Sequence, residues 1–287
     1  MHTIPTIPLS NGVRMPQVGF GLMNCRDQDT MNAAVSAAID AGCRMFDGAY
    51  LYGNEKEFGI ALEQKLRETG LKRQDVFLVT KIRTSRHAYD LVRGALEAQL
   101  ENLRTDYVDL YLIHWPMPGN GLYLEAWRAF EDLCDEGLIR APGVCNFFEP
   151  QLQRILDICR MPPAVNQIQT NPYYVNKGAV AFCRERNIRI MPWSPLRHGT
   201  VLDDPVLQRI AAAHGKTVAQ VILRWLVQQD FLPVFGSTKP QRIREGFDLY
   251  DFTLSPEDMA GIDALERQEP GHGRVPGYDP ECMDHLF

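Results

Sequence analysis

Short apolar runs recur along the chain and alternate with longer stretches in which apolar and polar residues follow a helical period. Eight of the short runs are rich in β-forming residues, which predicts strands. They lie at residues 17–21, 44–48, 76–82, 108–114, 139–145, 164–169, 188–194 and 232–237. Between them, residues 30–42, 88–103 and 124–137 have the periodicity of helices.

Strands that alternate with helices predict parallel βαβ units. Eight such units in 287 residues indicate an α/β fold, a closed (β/α)8 TIM barrel. No Pro- or Ser-rich linker divides the chain, so we expect a single domain over residues 1–287. A doubly wound open sheet is the structural alternative.

Two segments fall outside this repeat. Residues 7–16 contain Asn11-Gly12, a pair that favours a type I′ turn, so we expect an N-terminal β-hairpin that covers one end of the barrel. Residues 255–266 have a helical pattern and precede a short Gly/Pro-rich C-terminal tail, which we expect to be free to reach the other end.

Composition and charge exclude several classes of function. Hydrophobic residues form 45% of the chain and charged residues 23%, which is typical of a soluble globular protein with a substantial core. A net charge of -6 with scattered Lys and Arg argues against nucleic-acid binding. No signal-peptide pattern or membrane-spanning apolar run is present in the sequence. Seven cysteines without a Cys-x-x-Cys pair favour a reducing cytoplasm.

Candidate chemistry lies where the predicted strands end. The second, third and fourth strands end on Asp47, Lys81 and His114, and Tyr52 follows in the loop after the second. Singly, such residues have ordinary explanations, since an Asp caps helices, a Lys reaches solvent and a His fills a core. A barrel, however, brings the carboxyl ends of its strands to one mouth, where these side chains would meet.

The four side chains together are suited to proton transfer. A tyrosine has a pKa of about 10, and a neighbouring cation such as Lys81 lowers it. Asp47 would keep Lys81 protonated, and a neutral His114 would orient a polar oxygen near Tyr52. This predicts that Tyr52 protonates a carbonyl oxygen while a cofactor delivers a hydride to the carbonyl carbon.

The chain contains the motifs FDGAYLYGNE, VTKI, LIHWP, GVCNF, VNQIQTNPY and WSPL in this order. Together they resemble the aldo-keto reductase superfamily over essentially the whole chain. The resemblance implies a (β/α)8 barrel, NADPH as cofactor and reversible reduction of aldehydes or ketones. The tail motif RVPGYDPE resembles that of compact microbial members related to diketogluconate reductases.

The resemblance also implies roles for individual residues. It makes Asp47, Tyr52, Lys81 and His114 a catalytic tetrad. It assigns the nicotinamide end of the cofactor to Cys145, Asn146, Gln167 and the stacking Trp193, and the phosphate and adenosine end to Ser194, Leu196, Ser237, Arg242 and Glu245. The substrate pocket is expected to be framed by Met23, Tyr50, Leu51, Trp115 and Phe147, which favours aromatic or medium-chain aldehydes and activated ketones over unmodified hexoses.

Four departures from the family pattern modify these expectations. Gly48 removes a side chain next to Asp47, where we expect only a local packing change, and Cys145 replaces a common Ser. Gly236 stands where a Lys commonly pairs with the 2′-phosphate of NADPH, and Gly246 replaces an Asn. We therefore expect NADPH to be preferred by a reduced margin, with NADH accepted. Whether Lys239, two residues after Ser237, replaces part of the lost charge does not follow from the sequence alone.

Other functions are weighed against this one. A metal-dependent hydrolase on the same barrel would need paired histidines, whereas those of this chain are scattered, so no metal is expected. A non-catalytic redox sensor or partner subunit that only binds the cofactor is the functional alternative. The run GFGLMN lacks the third glycine of a Rossmann motif, and Cys145 has no dedicated base beside it. We expect a monomer.

Overall fold

A computed structural model of the chain describes residues 4–266. Two short strands pair antiparallel as a hairpin, and eight strands form one parallel sheet in the order β10-β3-β4-β5-β6-β7-β8-β9. The strands are β1 (Thr6–Pro8), β2 (Arg14–Pro16), β3 (Gly19–Gly21), β4 (Met45–Asp47), β5 (Phe77–Ile82), β6 (Val108–Ile113), β7 (Ile139–Cys145), β8 (Val165–Gln169), β9 (Arg189–Trp193) and β10 (Val234–Phe235).

Within residues 4–266, eight helices connect successive strands of the sheet, and two more follow the last strand. They are α1 (Gln28–Asp40), α2 (Glu55–Thr69), α3 (Tyr89–Leu103), α4 (Tyr123–Asp135), α5 (Glu149–Leu156), α6 (Lys177–Glu185), α7 (Pro205–His214), α8 (Val218–Gln228), α9 (Pro240–Phe247) and α10 (Pro256–Asp263). Two of them, α7 and α8, lie between β9 and β10. No helix within residues 4–266 is long and apolar enough to cross a membrane.

The sheet is a nearly closed barrel, which confirms the predicted (β/α)8 class. The last strand, β10, pairs with the first barrel strand, β3, through Val234 and Gly19. Between β9 and β10, the two strands at the ends of this order, the Leu232 amide donates to the Ile190 carbonyl over 3.0 Å. An open doubly wound sheet would leave two free edges, so that alternative is excluded.

The N-terminal hairpin closes one end of the barrel, as expected. Leu9 and Met15 are buried among the side chains that fill the barrel interior. The type I′ turn, however, was a wrong prediction. Its two central residues need positive φ, but here only Gly12 has it, at 84°. Pairing of Pro8 with Arg14 leaves a longer loop, in which Asn11 donates to the Arg140 carbonyl over 2.9 Å.

Strict alternation along the strands determines what faces the barrel axis. Phe77 and Val79 of β5 face inward, and Leu78 and Ile82 face the helices. The next inward residue of β5 is therefore Lys81. The same register makes Asp47, His114, Cys145, Gln167 and Trp193 the inward residues above the apolar interior on their own strands. The candidate site is thus the uppermost layer of the barrel interior.

The C-terminal helix α10 begins at Pro256, after Ser255 caps it by accepting from the Asp258 amide over 3.1 Å. The tail motif RVPGYDPE lies outside the described residues.

Candidate active site

Lys81 is the centre of the candidate site. Its side chain is 1% exposed and directs its ammonium group to three oxygens. It donates to Asp47 Oδ1 over 2.8 Å, to the Gly48 carbonyl over 2.7 Å and to Tyr52 Oη over 3.4 Å. These three bonds match the three donors of an ammonium ion, so its orientation is fixed. Gly48 joins the site through its carbonyl, a contact that the sequence did not reveal.

Two opposing effects set the pKa of Lys81. Burial lowers the pKa, but the negative charge of Asp47 raises it, with a further contribution from Tyr52, and the net result is a raised value. Lys81 therefore stays cationic at neutral pH, as the sequence predicted.

The charge of Lys81 lowers the pKa of Tyr52, as expected, but the net lowering that the sequence predicted was wrong for this arrangement of the protein alone. Burial of the phenol raises the pKa of Tyr52 to about 12. The charge of Lys81 lowers it by less, and Asp47 raises it again. The physical reason is that burial disfavours the phenolate more than the charge of Lys81 favours it, and the charge of Asp47 offsets part of the effect of Lys81.

His114 is buried beside Tyr52. The two rings meet edge to face, with centroids 6.2 Å apart and an interplanar angle of 82°. Burial lowers the pKa of His114 well below its usual value, and the charges of Lys81 and of a nearby His87 add to the effect. His114 is therefore neutral at physiological pH, as expected, and each of its ring nitrogens is a single donor or acceptor.

The turn that carries Tyr52 is anchored to the loop after β3. Residues Tyr50–Tyr52 form one turn of 3-10 helix, which Gly53 ends with a φ of 65° in the left-handed region. The buried Asn54 then donates to the carbonyls of Leu22 and Cys25 over 2.9 and 2.8 Å. These bonds prevent the turn from moving away from the barrel mouth.

A second anchor joins the same turn to β5. Glu55, the first residue of α2, accepts from Thr80 Oγ1 over 2.6 Å and from Gln99 Nε2 over 2.8 Å. Gln99 in turn accepts from Tyr111 Oη over 2.6 Å. Thr80 precedes Lys81, so this buried network fixes the tyrosine turn relative to the lysine strand. Asn54 and Glu55 belong to the motif FDGAYLYGNE, but the sequence predicted no role for either.

Amide groups lie beside the tetrad at the ends of β7 and β8. Gln167 Nε2 donates to Asp47 Oδ1 over 3.1 Å, and the Cys145 thiol donates to Gln167 Oε1 over 3.4 Å. Asn146 Oδ1 accepts from Trp193 Nε1 over 2.8 Å. The structure therefore brings together all four residues that were predicted to hold the nicotinamide.

This group fits a nicotinamide. The side-chain oxygens of Asn146 and Gln167 each retain a second lone pair, and the half-buried Trp193 presents an aromatic ring, the type of surface on which a planar ring stacks. Burial raises the pKa of the Cys145 thiol, more than Lys81 lowers it. The thiol is therefore protonated and unsuited to nucleophilic chemistry.

The predicted phosphate and adenosine contacts lie along β9, β10 and α9. Ser194 follows β9 with a φ of 50°, and Leu196 precedes a 3-10 turn. Ser237 lies between β10 and α9, where its hydroxyl accepts from the Lys239 amide over 3.1 Å. Arg242 lies exposed in the first turn of α9. An arginine at a helix N-terminus suits an anionic group.

Two other features of this region bear on the predicted contacts. Within residues 4–266, the Arg242 side chain makes no hydrogen bond or ion pair. Glu245 already accepts from Gln241 over 2.8 Å. Arg242 is thus the predicted contact whose charge remains available for a phosphate.

The residues predicted to frame the substrate pocket differ in their exposure, and not all of them lie at the barrel mouth. Met23, Tyr50 and Leu51 are exposed at the barrel mouth, at 41%, 39% and 41%. Trp115 is only 3% exposed and stacks against His114 with centroids 6.3 Å apart. Phe147 is fully buried among the side chains between sheet and helices, so the structure does not bring it to the rim.

A cation that was not predicted from the sequence also lies at this mouth. Arg83 follows Lys81 by two residues, and its guanidinium lies 5.1 Å from the centroid of the Tyr50 ring. The alternation of β5 could have identified it, but it lies beyond the apolar run from which the strand was predicted. Within residues 4–266, no group of three His, Cys, Asp or Glu side chains is placed to hold a metal ion.

Comparison with known proteins agrees with this geometry. The model of the Aldo/keto reductase family matches residues 17–267. Glyoxal reductase of Bacillus subtilis is 41% identical over 264 residues, which cover 92% of this chain and 94% of that protein. An aldo/keto reductase from Brucella melitensis superposes with a TM-score of 0.87 at 40% identity, covering 92% of this chain and 100% of the other.

A mutant of the protein Gox0644 in complex with NADPH superposes with a TM-score of 0.91 at 35% identity, covering 98% of this chain and 99% of the other. The family match spans most of the chain, and the similarity extends over nearly the full length of each of these proteins. The chain therefore belongs to the aldo/keto reductase family of NAD(P)H-dependent oxidoreductases.

Proposed function

We propose that the chain reduces aldehydes or ketones to alcohols with NADPH and that Tyr52 is the general acid. The observation that carries the proposal is the buried ammonium of Lys81, whose donors reach both Asp47 and the Tyr52 hydroxyl. A structural framework alone has no need for a buried ion pair directed at a tyrosine beside a neutral histidine.

A bound nicotinamide dinucleotide supplies the hydride to the carbonyl carbon. The side chains of the protein supply the proton and stabilise the charge that its transfer leaves behind. With its pKa at about 12, Tyr52 keeps its proton at neutral pH and can donate it to the carbonyl oxygen. The phenolate that remains faces the Lys81 ammonium, and charge that develops there is stabilised by it. Neutral His114 orients the same carbonyl oxygen by a hydrogen bond.

The raised pKa of Tyr52 makes it a weaker acid but keeps it in the protonated form that reduction needs. A tyrosine that stays protonated up to high pH is always ready as an acid, whereas oxidation of an alcohol needs the phenolate as a base. Reduction therefore has the correct protonation state throughout the neutral range, and alcohol oxidation gains it only as the pH rises.

The proposed cofactor is NADPH, with NADH accepted at a lower efficiency. Asn146, Gln167 and Trp193 would hold the nicotinamide, and Ser237 and Arg242 the adenosine phosphate. Binding of NADPH by the structurally similar Gox0644 mutant supports the proposal. Proposed substrates are small aromatic or medium-chain aldehydes and activated ketones, since Met23 and Leu51 make the rim largely apolar.

We further propose that a single barrel domain spans residues 1–287 and acts as a monomer in a reducing cytoplasm. The six cysteines within the described residues are all free, which supports this location. Binding of NADPH without turnover of any carbonyl compound would favour the alternative of a redox sensor or partner subunit.

Replacement of Tyr52 by Phe tests the proposed chemistry. The ring packs as before but has no proton to donate, so carbonyl reduction should fall by the roughly 10²–10⁴-fold typical of a general acid. Affinity for NADPH, measured by fluorescence titration, should stay nearly unchanged. Tyr107→Phe is the matched control, because Tyr107 precedes β6 at the opposite end of the barrel. Near-wild-type turnover in Tyr52→Phe would disprove the assigned role.

A further inference from the structure

Arg83 occupies the inward position directly above Lys81. Its backbone is extended, with φ -75° and ψ 150°, so the alternation of β5 continues one residue past the end of the strand at Ile82. Two residues of extended chain advance by roughly 7 Å. The Arg83 side chain is therefore on the same face as Lys81 and one layer closer to the barrel mouth.

The charge of Arg83 is not compensated by the described part of the chain. No carboxylate within residues 4–266 pairs with its guanidinium, which instead packs over the Tyr50 ring. Its Nε is buried and has no hydrogen-bond partner there. A buried donor without a partner costs free energy, and a guanidinium fork is shaped to bind a planar carboxylate.

Three other arginines differ from Arg83 in this respect. Arg73, Arg140 and Arg160 all form ion pairs with acids. Lys81, the cation below Arg83, is paired with Asp47. Arg83 is thus an uncompensated cation that faces the axis above the candidate site, where a substrate would enter.

One short turn links Arg83 to the tyrosine that we propose as the acid. Tyr50, over which the guanidinium lies, and Tyr52 are the first and last residues of the same 3-10 turn. A molecule whose carbonyl oxygen contacts Tyr52 would extend its far end past Tyr50 towards Arg83. The distance between the two layers corresponds to a few carbon-carbon bonds.

We propose that Arg83 binds a carboxylate of the substrate, so that the preferred substrates are aldehydes or ketones with a carboxylate a few carbon atoms from the carbonyl. This inference rests on the proposed carbonyl reduction and specifies its substrate class. The apolar rim remains in contact with the carbon skeleton, and Arg83 determines the charge that is preferred at its far end.

The test uses three aromatic aldehydes that share the benzaldehyde ring and differ in the charge of the para substituent. The substrates are para-carboxybenzaldehyde, its neutral methyl ester and para-(trimethylammonio)benzaldehyde, each assayed for kcat/KM with NADPH. The anion-to-ester ratio in the wild type is compared with that in Arg83→Met, so that the intrinsic reactivity of each aldehyde cancels. A charge-assisted hydrogen bond at a partly exposed site predicts that the ratio falls about tenfold in Arg83→Met.

Three further measurements distinguish a local contact with Arg83 from a general effect of positive charge. Arg86→Met removes the same charge from an exposed arginine three residues later, and its anion-to-ester ratio should equal that of the wild type. Higher salt should reduce the wild-type ratio and leave that of Arg83→Met nearly constant. Arg83→Lys should retain part of the preference, because it keeps the charge but loses the planar fork.

The outcomes distinguish this inference from the proposed function. Turnover of the neutral ester, with equal anion-to-ester ratios in wild type and Arg83→Met, would overturn the role of Arg83 and leave carbonyl reduction intact. An equal loss of the preference in Arg86→Met would also overturn it. If none of the three aldehydes is reduced while NADPH still binds, carbonyl reduction itself fails. Weaker NADPH binding in Arg83→Met would assign the arginine to the cofactor instead.

Discussion

Two glycines limit the space at the predicted adenosine end of the site. A Cβ at Gly236 would lie 2.8 Å from the Gly21 carbonyl oxygen, and one at Gly246 would lie 2.2 Å from the Phe235 ring. Neither the Lys nor the Asn of the family pattern is therefore accommodated without movement of the backbone or of a buried ring. Under the proposed use of NADPH, recognition of the 2′-phosphate would fall to Ser237 and Arg242.

The effect of Arg242→Ala follows from this loss of alternative cations. Loss of its guanidinium should lower kcat/KM with NADPH by roughly ten- to a hundredfold, the value of one charge-assisted bond, and should leave kcat/KM with NADH nearly unchanged. Arg244→Ala is the matched control, since it removes an exposed arginine from the same helix. Equal losses with both cofactors would show that Arg242 does not contact the 2′-phosphate.

The sequence allowed the tetrad to be located but not its proton affinities to be ranked. A polar residue at the inward position after an apolar strand, such as Lys81 after Val79, must lie at the mouth of a parallel barrel. The pKa of Tyr52, in contrast, depends on how deeply its hydroxyl is buried and on the contact of Asp47 with Lys81, which are properties of the packed structure. Arg83 follows the same alternation as Lys81, but it lies beyond the apolar run.

At the scale of elements, α2 and α3 are in contact through a glycine. A Cβ at Gly59 of α2 would lie 2.3 Å from the carbonyl oxygen of Asn102 and 3.0 Å from the backbone of Leu103. These are backbone atoms, which cannot rotate away as a side chain can. The absence of a side chain at Gly59 therefore sets the distance between the two helices.

We predict that Gly59→Ala lowers the free energy of unfolding by about 1–3 kcal/mol, the usual cost of overpacking, although alanine favours helices. Because α2 begins at Glu55, displacement of the helix should also move the Tyr52 turn and lower kcat. Urea unfolding and steady-state rates measure both effects. In the matched control Gly94→Ala on α3, an added Cβ meets nothing within 4 Å, so stability should rise by up to about 1 kcal/mol. Unchanged stability in Gly59→Ala would contradict the close contact.

The sequence predicted which helices and strands exist where the hydrophobic periodicity was strong. It did not predict the length of every strand or the type of the hairpin turn. The eight barrel strands were all predicted, yet β10 is reduced to Val234 and Phe235 within the expected residues 232–237. The hairpin was also predicted, but its turn type depends on which residues pair. That register is determined by the burial of Leu9 and Met15 inside the barrel, a tertiary contact that the Asn-Gly pair alone does not indicate.

At the scale of the whole molecule, burial of histidine makes stability depend on pH. His87 follows the 3-10 turn after β5 and is 0% exposed, and within residues 4–266 neither ring nitrogen has a hydrogen-bond partner. Burial lowers its pKa to about 4 from the usual 6.5. The pKa of the neighbouring His114 is lowered as well. Both side chains must gain a proton when the chain unfolds in mild acid.

The sign of the effect follows from proton linkage. For a group whose pKa is depressed in the folded state, the stabilising contribution is complete above the unfolded pKa and is lost as the pH falls through the folded value. From pH 7.5 to 5, His87 alone should remove about 2 kcal/mol from the free energy of unfolding, and His114 should add a loss of the same sign. Glu55 acts in the opposite direction, because burial raises its pKa.

Since these contributions overlap, the prediction is made for a difference between variants. His87→Leu keeps an apolar side chain in the buried position and removes the titration, so its loss of stability between pH 7.5 and 5 should be smaller than that of the wild type by about 2 kcal/mol. His198→Asn, a change at an exposed histidine in the left-handed region, should show the wild-type loss. Urea unfolding at both pH values measures the difference. Equal losses in wild type and His87→Leu would mean that protonation of His87 does not limit stability in acid, and the loss would then be assigned to His114.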